Sequence, residues 1–284
     1  LRHRRAQLPG LALRAVTTPV SPLDPDRCFL ELPGGRLAYT DEGPLDAPVL
    51  LAIHGLPGSV RDWRWLAPTV VDRCRLIRVD MPGLGQSDAG LAPPTAAAVA
   101  DVLVSALDRL GVDCVVVLGH SFGSVVAVAL AAAVPERVAG LGLLAGVGLR
   151  PHASFRATPM KIPLTVALSL PGGAALLGPR LRDAIVRFGF PSSTTVAESV
   201  RTMQMVGRHR FSAHARRLRA LTAPCLVAWA DDDRLVEADI AAELAEILPP
   251  GPRLHFPEGG HNIQKSQAVE LGEAITRFAV EIAG

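Results

Sequence analysis

The sequence predicts an α/β fold, a mostly parallel sheet sandwiched by helices with a helical cap inserted late in the chain. Two patterns carry the prediction. Short β-branched, apolar runs alternate with helical stretches, the order that builds a parallel sheet covered on both faces. Glycine-rich bends at residues 54–59, 80–88 and 119–123 each follow a strand directly, so all three fall at the carboxyl edge, where such sheets place ligands. With 284 residues, 49% of them apolar, the chain has core enough for one large domain, or for a domain plus an insertion.

Residues 29–32 and 36–40 flank Pro33-Gly34-Gly35 and read as a hairpin opening the sheet. Residues 48–53 form a buried strand that ends in His54-Gly55-Leu56-Pro57-Gly58-Ser59. Loop amides in such a bend are free to face an anion, and since Pro57 has no N–H, Leu56 and Gly58 are the available donors. In residues 60–66, Trp63 and Leu66 fall on one helical face. Residues 74–79 are the next strand, closed by a tight excursion in which Asp80 and Asp88 tie turn amides. A helix follows over 95–110, with Val99, Val102, Leu103, Ala106 and Leu110 spaced for one face and Gly111 at its end.

The central stretch is Val115 to Ser124, an apolar run that stops at Gly119-His120-Ser121-Phe122-Gly123. A strand buried on both faces runs into an alanine-rich helix over 125–133, and Ser121 is pinned between them. That is the setting a G-x-S-x-G motif requires, because the flanking glycines permit the sharp turn and close packing that leave the serine hydroxyl proud of the sheet. The Phe122 amide becomes an early donor at a helix N-terminus, where negative charge is favoured.

Residues 138–144 form another short strand, after which the alternation stops. From about 150 to 221, helices over 163–171, 181–188 and 196–206 are joined by proline and glycine, and the segment reads as a cap on the ligand edge. Its charge is lopsided: eleven bases from Arg156 to Arg219 stand against Asp183 and Glu198, a net +9, while the rest of the chain, with 18 bases and 25 acids, is −7. Anionic substrates are expected to be favoured at low salt if that charge faces the site; a solvated cap surface is the plainer alternative. The sheet resumes at 224–230, followed by Asp231-Asp232-Asp233, a helix over 238–248, a last strand at 253–256, Gly259-Gly260-His261 and a closing amphipathic helix over 266–283. The domain reading is therefore a basic tail at 1–23, a core at 24–149 and 222–284, and a cap at 150–221.

A net charge of +2, with no basic run interleaved with aromatics, does not suggest a nucleic-acid partner. Nor does any uncharged apolar run suit a membrane span. Cys28, Cys74, Cys114 and Cys225 show no metal-ligand spacing and read as buried free thiols, which with the absence of disulfide patterning points to a reducing, cytoplasmic location. Residues 1–23 carry Arg2, Arg4, Arg5 and Arg14 without an acid, the composition of a solvated basic tail or of some transit peptides. No metal or cofactor is expected, and the partners expected are a small-molecule substrate and, at most, a second copy in a homodimer.

These segments resemble the α/β-hydrolase family from about Phe29 to Gly284, and the specific part of the likeness is chain order: glycine-rich oxyanion loop, nucleophile elbow, acid, then histidine. The resemblance implies Ser121 as nucleophile, His261 as base and Asp233 as acid, with Ala230 in place of a usual glycine leaving Asp231 or Asp232 open. It also implies an oxyanion hole from the amides of Leu56 and Phe122, and selects Leu56 over Gly58. Gly55 and His120 are expected along the substrate pocket, His120 as wall or packing residue; His54 is expected to brace its loop. His152, His209 and His214 lack the spacing of a metal site.

The chemistry asks for these residue types on its own account. A serine hydroxyl is a poor nucleophile until a base takes its proton, an imidazole does so near neutral pH and returns it to the leaving group, and a carboxylate fixes the imidazole's tautomer. Relatives that are haloalkane dehalogenases or epoxide hydrolases carry aspartate at the elbow, and the family's proline iminopeptidases use cap acids to hold a substrate amine, for which Asp183 and Glu198 among eleven bases are a poor match. What remains is hydrolysis of esters, thioesters, lactones or carbon–carbon bonds of vinylogous diketones, and the first expectation is a serine hydrolase of carboxylic esters of small to medium, largely apolar substrates. The alternatives are a carbon–carbon hydrolase of ring-cleavage products and a silent ligand-binding homologue.

Overall fold

The structure, a computed structural model, describes residues 21–157 and 160–283. The expected basic tail at 1–23 lies outside the described residues except for its last three. Eight strands form one sheet: β1 (Cys28–Leu32), β2 (Gly35–Glu42), β3 (Val49–Ile53), β4 (Arg75–Val79), β5 (Val115–His120), β6 (Val138–Leu144), β7 (Cys225–Ala230) and β8 (Arg253–Phe256). Their order is β1-β2-β4-β3-β5-β6-β7-β8. The β1–β2 and β2–β4 pairs are antiparallel and every other pair is parallel.

Helices α1 (Ala96–Arg109) and α2 (Gly123–Ala133) cover one face. Thr95 caps α1 by accepting from the Ala98 amide at 3.3 Å, and Val99, Leu103, Ala106 and Leu107 point inward. Nearly every residue of α2 is buried, which is why its sequence is apolar all round rather than amphipathic. Between β6 and β7 lie α3 (Ala153–Arg156), α4 (Lys161–Ser169), α5 (Gly173–Arg187), α6 (Val196–Arg208) and α7 (Phe211–Ala220). The opposite face is covered by α9 (Ile263–Ser266) and α10 (Ala268–Ala283), after α8 (Ala238–Ile247). There Leu271, Ile275 and Phe278 meet Trp63 and Leu66 across β3–β7. Each such fully enclosed side chain contributes about 2 kcal/mol.

The cap departs from the sequence reading in detail. Three helices were expected and five are present, the additional two being α3 and α7; α5 also runs through Pro179 in its second turn and begins eight residues earlier than its apolar pattern suggests. The arginine-rich stretch after His209 is also helical: α7 buries His214, Ala215 and Leu218 against α2, with Arg216 and Arg219 exposed and Arg217 half-buried. Outward on the cap stand Ile162, Val166 and Leu170, so the apolar stripe of α4 is not wholly turned inward. Two of the four cysteines, Cys28 and Cys114, are exposed rather than buried, and all four are free. No helix among the described residues is long and apolar enough to cross a membrane.

Candidate active site

Ser121 sits at the end of β5 with φ of +52°, a left-handed conformation that costs a non-glycine residue about 1–2 kcal/mol. The surroundings hold it there. Its amide donates to Leu144 O at 3.0 Å, and its carbonyl accepts from the Ser124 amide at 3.0 Å and the Ser124 hydroxyl at 2.6 Å. That hydroxyl oxygen accepts in turn from the Val147 amide at 2.9 Å. The glycines of the motif are demanded by contact: a Cβ on Gly119 would lie 2.6 Å from Ser124 Cα, and one on Gly123 would lie 2.2 Å from Ile53 O. Strand and helix approach so closely that only hydrogen fits between them.

His261 arrives on the loop after β8, its Nε2 2.8 Å from Ser121 Oγ and its Nδ1 2.8 Å from Asp233 Oδ2. An ionised carboxylate only accepts, so Nδ1 carries the ring proton and the Nε2 lone pair faces the serine hydroxyl. Asp233 follows β7 with its side chain 2% exposed, and its Oδ1 accepts from the amides of Leu235 at 2.8 Å and Val236 at 3.1 Å. Burial pushes this carboxyl up, but the hydrogen bond and charge of His261, with the two amides, outweigh burial and hold it below the usual carboxylate range. The neighbouring aspartates are otherwise engaged. Asp231 pairs with His255 at 2.7 Å and Asp232 accepts from the Gly260 amide at 2.7 Å, so of the three only Asp233 reaches His261.

The amides of Leu56 and Phe122, the expected oxyanion-hole donors, donate to no other described residue. The loop that carries Leu56 is braced by His54, which donates from Nδ1 to Gly55 O at 2.7 Å and accepts at Nε2 from the Met81 amide at 3.0 Å. Asp80 accepts from the amides of Val60 and Gln86, and Asp88 from that of Arg36. Gly55 is buried against the serine, since a Cβ there would meet Ser121 Cβ at 3.0 Å. His120, expected at the pocket wall or in packing, is 3% exposed and lies under His261, donating from Nε2 to its carbonyl at 2.9 Å. Burial, then the charge of His261, lowers the His120 ring to about 3, so it holds the loop as a neutral donor.

Two features have no signal in the sequence. Asp62 tucks its carboxyl under the oxyanion loop, occupying the space a Gly58 side chain would need, and burial raises it to about 6. Beyond Phe122, rings of His209, Phe211, Phe155 and His152 from separate elements pack edge to face. No cluster of metal-ligating side chains occurs among the described residues.

The arrangement of strand, sharp turn and helix around a serine, with a histidine and an acid delivered from later strands, defines a class. Residues 48–175 match the α/β hydrolase fold family. A RutD protein of Variovorax paradoxus, a carbamate hydrolase by name, is 30% identical over 271 residues, covering 87% of this chain and 97% of that one. This chain belongs to the α/β-hydrolase fold family. It is also 28% identical over 258 residues to a dihydrolipoyllysine-residue acetyltransferase component of an acetoin cleaving system from Cupriavidus necator, covering 88% of this chain and 68% of that protein. A 2-hydroxy-6-oxononadienedioate/2-hydroxy-6-oxononatrienedioate hydrolase of Burkholderia vietnamiensis is 28% identical, covering 86% of this chain and 90% of that one. The crystal structure of the haloalkane dehalogenase DbeA from Bradyrhizobium elkani shares the fold with a TM-score of 0.73 at 22% identity, covering 91% of this chain and 98% of that one.

Proposed function

We propose that this chain is a serine hydrolase that cleaves carboxylic esters of small to medium, largely apolar substrates through an acyl-enzyme. The observation that carries the reading is the unbroken relay from Asp233 Oδ2 through His261 to Ser121 Oγ, each link 2.8 Å long. Ser121 Oγ attacks the acyl carbon as His261 Nε2 takes its proton, and the carbonyl oxygen becomes an oxyanion facing the Leu56 and Phe122 amides. A donor in that position is worth about 3 kcal/mol to the transition state. Collapse of the tetrahedral species breaks the bond to the leaving alkoxide, which receives the proton from His261. Water then repeats the sequence on the acyl-serine, giving the acid and restoring the hydroxyl.

A second reading, hydrolysis of a carbon–carbon bond next to a ketone, uses the same relay. It is favoured by the basic cap and by the name of the Burkholderia relative. Rates on p-nitrophenyl esters of graded acyl length, set beside a dienone, separate the two. The ester reading expects short to medium esters to turn over with a kcat/KM that falls at least about 10³-fold in Ser121→Ala. Turnover of the dienone alone would select the second reading, and full ester turnover in Ser121→Ala would remove both.

A further inference from the structure

A cavity of about 190 Å³ lies behind Phe122, between the start of α1 and the corner where α6 turns into α7. Neither Ser121 nor His261 lines it. Its walls include Thr95, Ala96 and Ala97 from α1 and Arg208, Arg210, His214 and Arg217 from the cap, and no acid. Arg208 donates only to Gln204 O and Ser169 Oγ, and Arg210 only to Gly207 O and His209 O, so neither charge is neutralised. Arg217 has no hydrogen bond or ion pair with any described residue, while its charge acts on both His209 and His214. The Ala96 and Ala97 amides are orphan donors of a 14-residue helix, at its positive end.

One wall has the opposite character. His214 is 1% exposed and its Nε2 donates to Val147 O at 3.0 Å, which leaves Nδ1 as a buried acceptor with no partner. Burial lowers this ring to about 4 and that of His209 to about 3, so the positive charge here belongs to the arginines alone. A ligand that suits these walls therefore accepts hydrogen bonds from donors on both sides and carries negative charge. A phosphate group, tetrahedral and carrying up to two charges, offers acceptor oxygens to the α1 amides and the arginines together, which a planar carboxylate does not.

We propose that this cavity is a phosphate-binding site separate from Ser121. The phosphate oxygens accept from the α1 amides and the guanidinium of Arg217. The phosphate comes either as the free ion or as a group on the substrate, and the latter source rests on the hydrolase reading above.

Calorimetric titration of the intact protein with sodium phosphate at pH 7 and low ionic strength tests the site without turnover, so its failure is distinct from failure of the esterase reading. Saturable binding of one phosphate is expected, at least about tenfold weaker in Arg217→Gln, which loses a charged donor, and within about twofold of wild type in Arg216→Gln, which loses the same charge from the exposed side of α7. Ala97→Asp, a favourable substitution at an exposed helix start, places a tethered carboxylate at the mouth and abolishes binding while the fold is kept. Non-saturating heats, or equal losses in the two arginine variants, would overturn the proposal. Given binding, a raised KM for a phosphate-bearing ester but not for p-nitrophenyl acetate in the presence of phosphate identifies the substrate's own group as the occupant. No effect on either ester identifies the free ion.

Discussion

At the scale of single residues, the site depends on direction as much as on identity. Asp233 keeps the His261 proton on Nδ1 and so keeps the Nε2 lone pair on the serine. Asp233→Asn preserves shape but lets the ring take the other tautomer, and kcat is expected to fall about 10⁴-fold with KM little changed, as steady-state kinetics on a p-nitrophenyl ester will read. The serine and histidine were legible because each ends a strand in a recognisable glycine context. Among Asp231, Asp232 and Asp233 only the family resemblance favoured Asp233; the residues by themselves did not decide, since three consecutive carboxylates differ only in the way each points. His120 was legible as a bystander, but its hydrogen bond to the carbonyl of a residue 141 positions away was not.

At the scale of elements, the β5–α2 unit is the rigid part of the machinery. Replacing Gly123 by alanine puts a methyl 2.2 Å from Ile53 O and 2.6 Å from His54 O, and both are backbone atoms that cannot swing aside. Gly123→Ala should therefore cost about 3 kcal/mol, seen as a lower urea midpoint, and ester hydrolysis should fall with it as the oxyanion loop is pushed away. This unit could be read from the sequence because a continuous apolar strand and a breaker-free helix flank the motif. The cap could not be read as well. Pro179 falls in the second turn of α5, where it suggests a joint, and the α7 face of His214, Ala215 and Leu218 is masked in the sequence by the arginines interspersed with it.

At the scale of the whole molecule, the buried histidines set the response to acid. His120, His152, His209 and His214 are all held neutral, chiefly by burial, with values of about 3 to 4 against an ordinary 6.5. In the unfolded chain these rings gain protons below pH 6.5 while the folded ones do not, so stability is full above that pH and is lost progressively down to about 3. Asp233, with its value below the ordinary carboxylate range, adds a contribution present above about pH 3.9 and lost as pH falls through its folded value. Urea midpoints measured from pH 7.5 to 4.5 should decline steeply below 6.5, and His209→Phe should flatten that slope. A slope confined to the carboxylate range would show that these rings are not neutral in the fold. The charge division between cap and core was plain in the composition. That several cap arginines line one cavity was not, because it depends on how α6 and α7 meet above α1.

The relay on Ser121 is tested most directly by a fluorophosphonate probe with the modified peptide identified by mass spectrometry. A single label on Ser121, abolished in His261→Ala, is the predicted result. Folded protein that hydrolyses esters while Ser121 stays unlabelled would contradict it.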